Sequence, residues 1–324
     1  MAPLTPCPPW LLKDGAALMA RAARDQLPHA LLLSGIDGIG KRRFARWLAE
    51  ALLCRRRSEA GACGGCDACH QLTAGSHPDF LMLAPEGASA VIKVDAVREL
   101  TEWIQLTAGQ GSYRVALLEQ ADSLNHSAAN SLLKTLEEPG AQAVLILTAT
   151  RTGALPATIR SRCQKITLGM HDRAAAIVWL AEMLDDPETA LLDAGGAPYA
   201  AMTRRDEEHV AARTLLLQAW NDLFLHKGSV GRISTSLSRL DTALCLSTFS
   251  RWTLLAVRQL ENLPIGADPA VVTAISATHE QLEKEQWFTV HDRLLQLHRS
   301  DSTSFKTQTV LEGIFADIRL MTNR

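Results

Sequence analysis

Short apolar runs alternate with helix-period segments through the first half of the chain. Ala30 to Leu33 is an unbroken apolar run after Pro28 and reads as a buried strand. The glycine-rich turn Gly35-Ile36-Asp37-Gly38-Ile39-Gly40 follows it. Phe44, Trp47, Leu48, Ala51 and Leu52 then recur at i, i+3, i+4, i+7 and i+8, which is one face of a helix. Phe80 to Leu83, Val115 to Leu118, Val144 to Leu147 and Gln164 to Leu168 read as further strands. Between them, Val97, Leu100 and Ile104 form a helical stripe that Asp95 is placed to cap. Leu124, Ala128, Leu132 and Leu136 mark a helix from Leu124 to Glu138, which Pro139 stops. Strands separated by helices predict an α/β fold with a largely parallel sheet covered on both faces.

The pattern changes after residue 168. Ile177, Leu180, Ala181 and Leu184 keep helical spacing, as do Leu215, Leu216, Ala219 and Leu223, and no further strand is predicted. Gly195-Gly196 and Pro198 break a small helical unit, and Gly228 to Gly231 and Leu263 to Gly266 read as loops between helices. The predicted division is an α/β domain over 1–168, a small helical domain over 169–206 and an all-helical domain over 207–324.

Hydrophobic residues make up 47% of the chain and charged residues 21%, enough apolar matter for packed cores. The formal net charge is -2, so any contact with nucleic acid has to use a local patch. The longest clean apolar stretch, Ala174 to Ala181, is too short to cross a membrane, and Met1 to Leu12 lacks a signal-peptide core. A cytoplasmic protein with no membrane partner is expected.

The cysteines are unevenly placed. Cys54, Cys63, Cys66 and Cys69 follow the spacing Cys-x8-Cys-x2-Cys-x2-Cys, whereas Cys7, Cys163 and Cys245 stand alone. In a reducing compartment this crowding points to metal rather than to disulfides. Tetrahedral zinc needs four soft donors converging on one point, and two-residue spacers let the chain fold back on the ion. Gly64 and Gly65 relieve crowding there, and Cys54 is expected at the end of the preceding helix. Four thiolates close the shell without His70 or His77, so the expected zinc is structural. Arg55, Arg56 and Arg57 in the same segment form either a solvated basic face or a phosphate contact.

Gly35 to Arg42 nearly matches the phosphate-loop pattern G-x-x-x-x-G-K-[ST], with a strand before it and a helix after it. Gly35 and Gly40 would shape the loop, and Lys41 would reach phosphates. The last position, which normally supplies a magnesium-ligating hydroxyl, is Arg42, and arginine has no oxygen to offer. The alternative is a glycine turn kept only for strand-to-helix geometry. Binding of ATP with magnesium is therefore doubtful.

Asn130-Ser131-Leu132-Leu133-Lys134-Thr135-Leu136-Glu137-Glu138-Pro139 and Ile159-Arg160-Ser161-Arg162-Cys163 carry a resemblance. With the cysteine module and the phosphate loop, they resemble the bacterial DNA polymerase III clamp-loader family of AAA+ proteins over residues 29 to 168. The resemblance implies an AAA+-type P-loop domain, a small helical lid and an all-helical C-terminal domain that joins a collar. It implies delta and gamma/tau subunits as partners in a hetero-pentamer, which loads a sliding clamp onto primer-template DNA.

Family members that hydrolyse ATP end the third strand with Asp-Glu; this chain has Glu119-Gln120. Glu119 can still support a cation, but the Gln120 amide cannot act as a general base. Alignment of Asp193 to Met202 puts Tyr199 where the sensor arginine of those members lies, and Thr148 or Thr150 falls at another sensor position. Replacements at 42, 120 and 199 resemble the non-hydrolysing subunit type, in which the Ser-Arg-Cys arginine, here Arg162, acts as an arginine finger in a neighbour's site; the other reading of Arg162 is a surface arginine in a salt bridge. The alternatives are a working gamma/tau-type ATPase, a P-loop nucleotide kinase with a zinc lid, and a zinc-containing DNA-binding module.

Overall fold

Five strands form where the apolar runs lie: β1 (Ala30–Ser34), β2 (Phe80–Leu83), β3 (Arg114–Leu118), β4 (Ala143–Ala149) and β5 (Gln164–Thr167). The computed structural model describes residues 4–85, 91–109, 113–203, 207–299 and 306–322. The strands make one parallel sheet in the order β2-β3-β4-β1-β5, the AAA+-type α/β fold that the motifs imply. Every residue of β1, β3 and β4 is buried, as central parallel strands require, while β2 and β5 at the edges are partly exposed. Ser34 pairs with Ala149 on one side and Thr167 on the other, so the carboxyl ends of β1 and β4 lie side by side. Crevices at such ends are where open α/β sheets bind ligands.

The helices between the strands are α1 (Leu12–Ala23), α2 (Lys41–Leu53), α3 (Asp67–Ala74), α4 (Val94–Ile104), α5 (His126–Glu137) and α6 (Ala157–Arg162). Leu32, Ala116, Leu118, Leu145 and Leu147 face α4 and α5 through Val97, Leu100, Ile104, Leu132 and Leu136. Helix α2 packs on the same three central strands, and α1 lies against α2 so closely that a Cβ on Gly15 would sit 2.6 Å from the Trp47 ring.

The starts of α4 and α5 depart from the sequence expectation. The residue before α4 is Lys93, so Asp95 lies inside the first turn, where it pairs with Arg98 at 3.4 Å. Helix α5 begins at His126 because Asn125 caps it, accepting from the Ala128 N–H at 2.8 Å, and this leaves Leu124 outside. The cysteine segment also contains a helix of its own, α3, which the glycine-rich composition conceals.

The remaining helices are α7 (Arg173–Ala181), α8 (Pro187–Asp193), α9 (Pro198–Thr203), α10 (Glu207–Phe224), α11 (Val230–Ser236), α12 (Thr242–Leu260), α13 (Pro269–Thr278), α14 (Lys284–Arg299) and α15 (Thr307–Thr322). Gly231 lies inside α11 rather than in a loop, since the Ser229 hydroxyl caps that helix. The chain divides into two compact units, Met1–Pro187 with Gly196–Met202 and Glu188–Gly195 with Thr203–Arg324. The expected domain boundary at 206 lies outside the described residues.

The second unit is built on an aromatic cluster. Trp220 stacks on Trp287 with centroids 5.7 Å apart and planes 9° from parallel, and it meets Trp252 edge-on at 5.6 Å. Phe224, Phe249 and Phe315 fill the space around them. The Trp220 and Trp287 N–H groups donate to Thr278 Oγ1 and to the His279 carbonyl, whereas the buried Trp252 N–H has no partner among the described residues.

Candidate functional site

At the carboxyl end of β1 the glycine turn opens into a cleft of about 340 Å³. Gly38 and Gly40 hold left-handed φ values of 76° and 101°. A Cβ on Gly38 would sit 2.5 Å from Ala200 Cβ, and one on Gly40 would sit 2.8 Å from the Tyr199 ring. The Tyr199 N–H donates to the Gly38 carbonyl at 3.0 Å, so the start of α9 is clamped on the loop. Trp10 supports the loop from below, donating its indole N–H to the Ile39 carbonyl at 2.8 Å and meeting Tyr199 and Trp179 edge-on.

The cationic groups of the cleft, Lys41, Arg42 and Arg43, have partners within the chain. Lys41 Nζ donates to the Gly35 and Ile36 carbonyls at 3.0 and 2.8 Å. Burial lowers its pKa, against the opposing pull of Asp37 and Asp122. Arg42 Nε lies 3.4 Å from Glu119 Oε2. Arg43 lies over the Tyr199 ring, 5.1 Å from its centroid. Gln120 is left-handed at φ 50°, and its N–H donates to Thr148 Oγ1 at 3.0 Å. Thr148 is thus a buried residue within β4 and not a residue beyond the strand end, and its hydroxyl fixes the turn that presents Gln120.

The four clustered cysteines are brought together from separate elements. Cys54 ends α2, Cys66 precedes α3, Cys69 lies in the first turn of α3, and Cys63 comes from the loop between. Their sulfurs all lie within 4.8 Å of one another, with Cys54–Cys66 and Cys63–Cys69 at 3.9 Å and Cys66–Cys69 at 3.5 Å. A tetrahedral ion with metal–sulfur bonds of about 2.3 Å would hold its sulfurs about 3.8 Å apart. The donor set therefore fits zinc. Cys54 Sγ also accepts from the Cys63 and Arg56 N–H groups at 3.2 and 3.4 Å, an arrangement suited to a thiolate. The group contains no histidine: His77 is buried elsewhere, with its Nδ1 accepting from the Asp79 N–H, and His70 is exposed.

The loop is pinned to α2, since the Trp47 indole N–H donates to the Ala60 carbonyl. Gly61 passes so near that a Cβ would meet Trp47 Nε1 at 2.3 Å. Two of the neighbouring arginines have partners inside the chain. Arg55 pairs with Asp67 at 3.4 Å, while Arg57 donates to the Leu52 carbonyl and lies over the Tyr113 ring.

Arg162 is the last residue of α6, which Ile159 anchors against α5. Its Nη2 lies 2.6 Å from Glu137 Oε1 and its Nη1 donates to the Thr158 carbonyl at 3.1 Å. The side chain is 36% exposed, and it is not among the described residues that line the cleft of its own chain. The adjoining Cys163 is buried, which pushes its thiol pKa up to about 11.

The family described as DNA polymerase III, delta subunit, matches residues 15–172. Subunit delta' of DNA polymerase III from Pseudomonas aeruginosa is 38% identical over 251 residues, which are 76% of this chain and 76% of that protein. The chain belongs to the delta-prime family of DNA polymerase III subunits. The delta-prime relative from Escherichia coli is 37% identical over 215 residues, 65% of this chain and 64% of that protein. Outside the delta-prime family, the tau subunit from Salmonella typhimurium is 31% identical over 219 residues, 68% of this chain but 30% of the longer relative.

In this delta-prime chain, Gly40, Lys41, Arg42, Gln120 and Tyr199 line one cleft, and Gly35 is tied to it through the Lys41 Nζ bond to its carbonyl. Arg162 and the cysteines lie apart from it. Sequence reasoning missed Trp10 and Glu137. Trp10 lies in a proline-rich stretch with no periodicity, and only its indole bond to Ile39 reveals a role. Glu137 sits inside a recognised motif, yet nothing in that motif names its partner. Among the described residues, no helix is long and apolar enough to cross a membrane.

Proposed function

We propose that this chain is the non-hydrolysing delta-prime subunit of a clamp loader, which joins delta and gamma/tau subunits in a hetero-pentamer that loads a sliding clamp onto primed DNA. The observation that carries this reading is the Arg42–Glu119 ion pair. A cationic side chain takes the carboxylate that would otherwise face magnesium, at the position where a hydrolysing relative supplies a hydroxyl ligand. Gln120 adds no base, and Lys41 is spent on its own loop carbonyls.

Arg162 is the active contribution. A guanidinium delivered to a neighbour's γ-phosphate neutralises charge that develops in transfer, and such fingers accelerate related reactions by roughly 10³ to 10⁵. Cys54, Cys63, Cys66 and Cys69 would hold zinc, which would cross-link the end of α2 to the start of α3 without taking part in chemistry. The helical residues 207–324 form the collar contact, and residues 169–206 act as the lid.

The test is reconstitution with delta and gamma/tau subunits. Arg162→Ala should leave assembly intact and lower clamp loading on primed DNA. Loading at the wild-type rate by a fully assembled mutant complex removes the arginine from the mechanism. A gamma/tau-type ATPase reading instead requires magnesium-dependent turnover by the isolated chain.

A further inference from the structure

We infer that Glu137 is a positioning residue, which fixes the guanidinium of Arg162 in the orientation it presents to a neighbouring subunit. This rests on the reading of Arg162 as an arginine finger. The two side chains come from consecutive helices with β4 between them in sequence, and they meet only because α5 and α6 pack together. Glu137 Oε1 takes one hydrogen of Nη2 at 2.6 Å, and the Thr158 carbonyl takes one of Nη1 at 3.1 Å. Two anchors on two different nitrogens fix both the position and the plane of the group. Of the five N–H donors of arginine, Nε–H and one on each terminal nitrogen stay free for a phosphate.

Local helix energetics do not account for a carboxylate at 137. It is the last residue of α5, where a negative side chain meets the negative end of the helix dipole. Fold stability does not account for it either. Glu137 is 52% exposed and Arg162 36% exposed, and ion pairs of that kind contribute little. Orientation is what the pair provides, because a free arginine at the end of a short helix samples many rotamers. A finger works only from one of them.

The experiment uses the assembled complex, with the arginines of the gamma-type subunits replaced so that ATP turnover reports the site this chain completes. Glu137→Ala and the milder Glu137→Gln are compared with Arg162→Ala and with the double variant. Glu137→Ala should lower kcat on the order of tenfold with KM for ATP and assembly unchanged, since it loosens a placed group without removing it. Glu137→Gln should fall between. The double variant should be no slower than Arg162→Ala alone, because Glu137 acts only through Arg162. If Arg162→Ala is silent while Glu137→Ala keeps full turnover, the inference fails and the finger stands. Independent, additive losses or a faster Glu137→Ala complex also overturn it. A fully active Arg162→Ala complex overturns the finger reading itself.

Discussion

Arg42 Nε lies 3.4 Å from Glu119 Oε2, at the junction of the phosphate loop and the third strand. Arg42 stands where the phosphate-loop pattern has a hydroxyl residue, and Glu119 is its counter-ion. The cleft still has volume and positive charge, and its Arg42 already has a counter-ion within the chain.

Magnesium should therefore matter little to any nucleotide the wild-type cleft takes. Arg42→Thr frees Glu119 and restores a hydroxyl. Binding of a fluorescent nucleotide should then be stronger in magnesium than in EDTA by roughly fivefold, the equivalent of about 1 kcal/mol for one solvent-screened charge pair. The fold itself should lose no more than about 1 kcal/mol. Equal binding in both buffers would mean that Glu119 does not face the cation position.

The isolated chain should not turn over ATP, and Gln120→Glu alone should leave it inactive because Arg42 remains. Only the pair Arg42→Thr with Gln120→Glu removes both obstacles. Phosphate release above background from the Gln120→Glu protein would show that the arginine is no barrier.

One zinc per chain is expected in reduced protein. Chelation should loosen the segment from Arg55 to Asp67 while the sheet stays folded. Trp47 is the reporter, since its indole N–H bonds the Ala60 carbonyl in that segment. Its emission should change as metal leaves, with far-ultraviolet dichroism almost constant. Metal analysis that finds no zinc sinks this prediction.

Gly40→Ala should destabilise the first unit by about 1–3 kcal/mol through its left-handed backbone. Its Cβ also falls 2.8 Å from the Tyr199 ring. In a Tyr199→Ala background the steric part disappears and the backbone part persists, so the cost should shrink without vanishing. Urea unfolding of the four proteins measures both parts. An identical cost in the two backgrounds would show that the ring gives way freely.

The sheet was legible because each central parallel strand carries an apolar run of at least three residues, even with Ser34, Arg114 and Thr148 among them. Phe80–Leu83 matches its expected bounds, and β1, β3, β4 and β5 differ by at most two residues at an end. Helix starts were less legible. Asp95 looked like a cap but lies one position inside a helix that begins at Val94, and Ser229 draws Gly231 into α11. Helix α3 carries only Ala68, Cys69 and Leu72 as buried residues, too few to display a period. Motifs named the cleft residues but not their partners. Arg42–Glu119 and Arg162–Glu137 join positions far apart in sequence, and only the packing of strands and helices reveals them.

The stacked pair Trp220 and Trp287 makes the helical unit self-reporting. Two indoles 5.7 Å apart with nearly parallel planes couple their electronic transitions, and a third, Trp252, stands at 89° to Trp220. That coupling exists only while α10, α12 and α14 are docked. A dichroic band arising from it disappears when those helices separate, whatever the sheet is doing. Trp10, Trp47, Trp103 and Trp179 belong to the other unit, so two optical signals from one unlabelled chain can follow the two units independently.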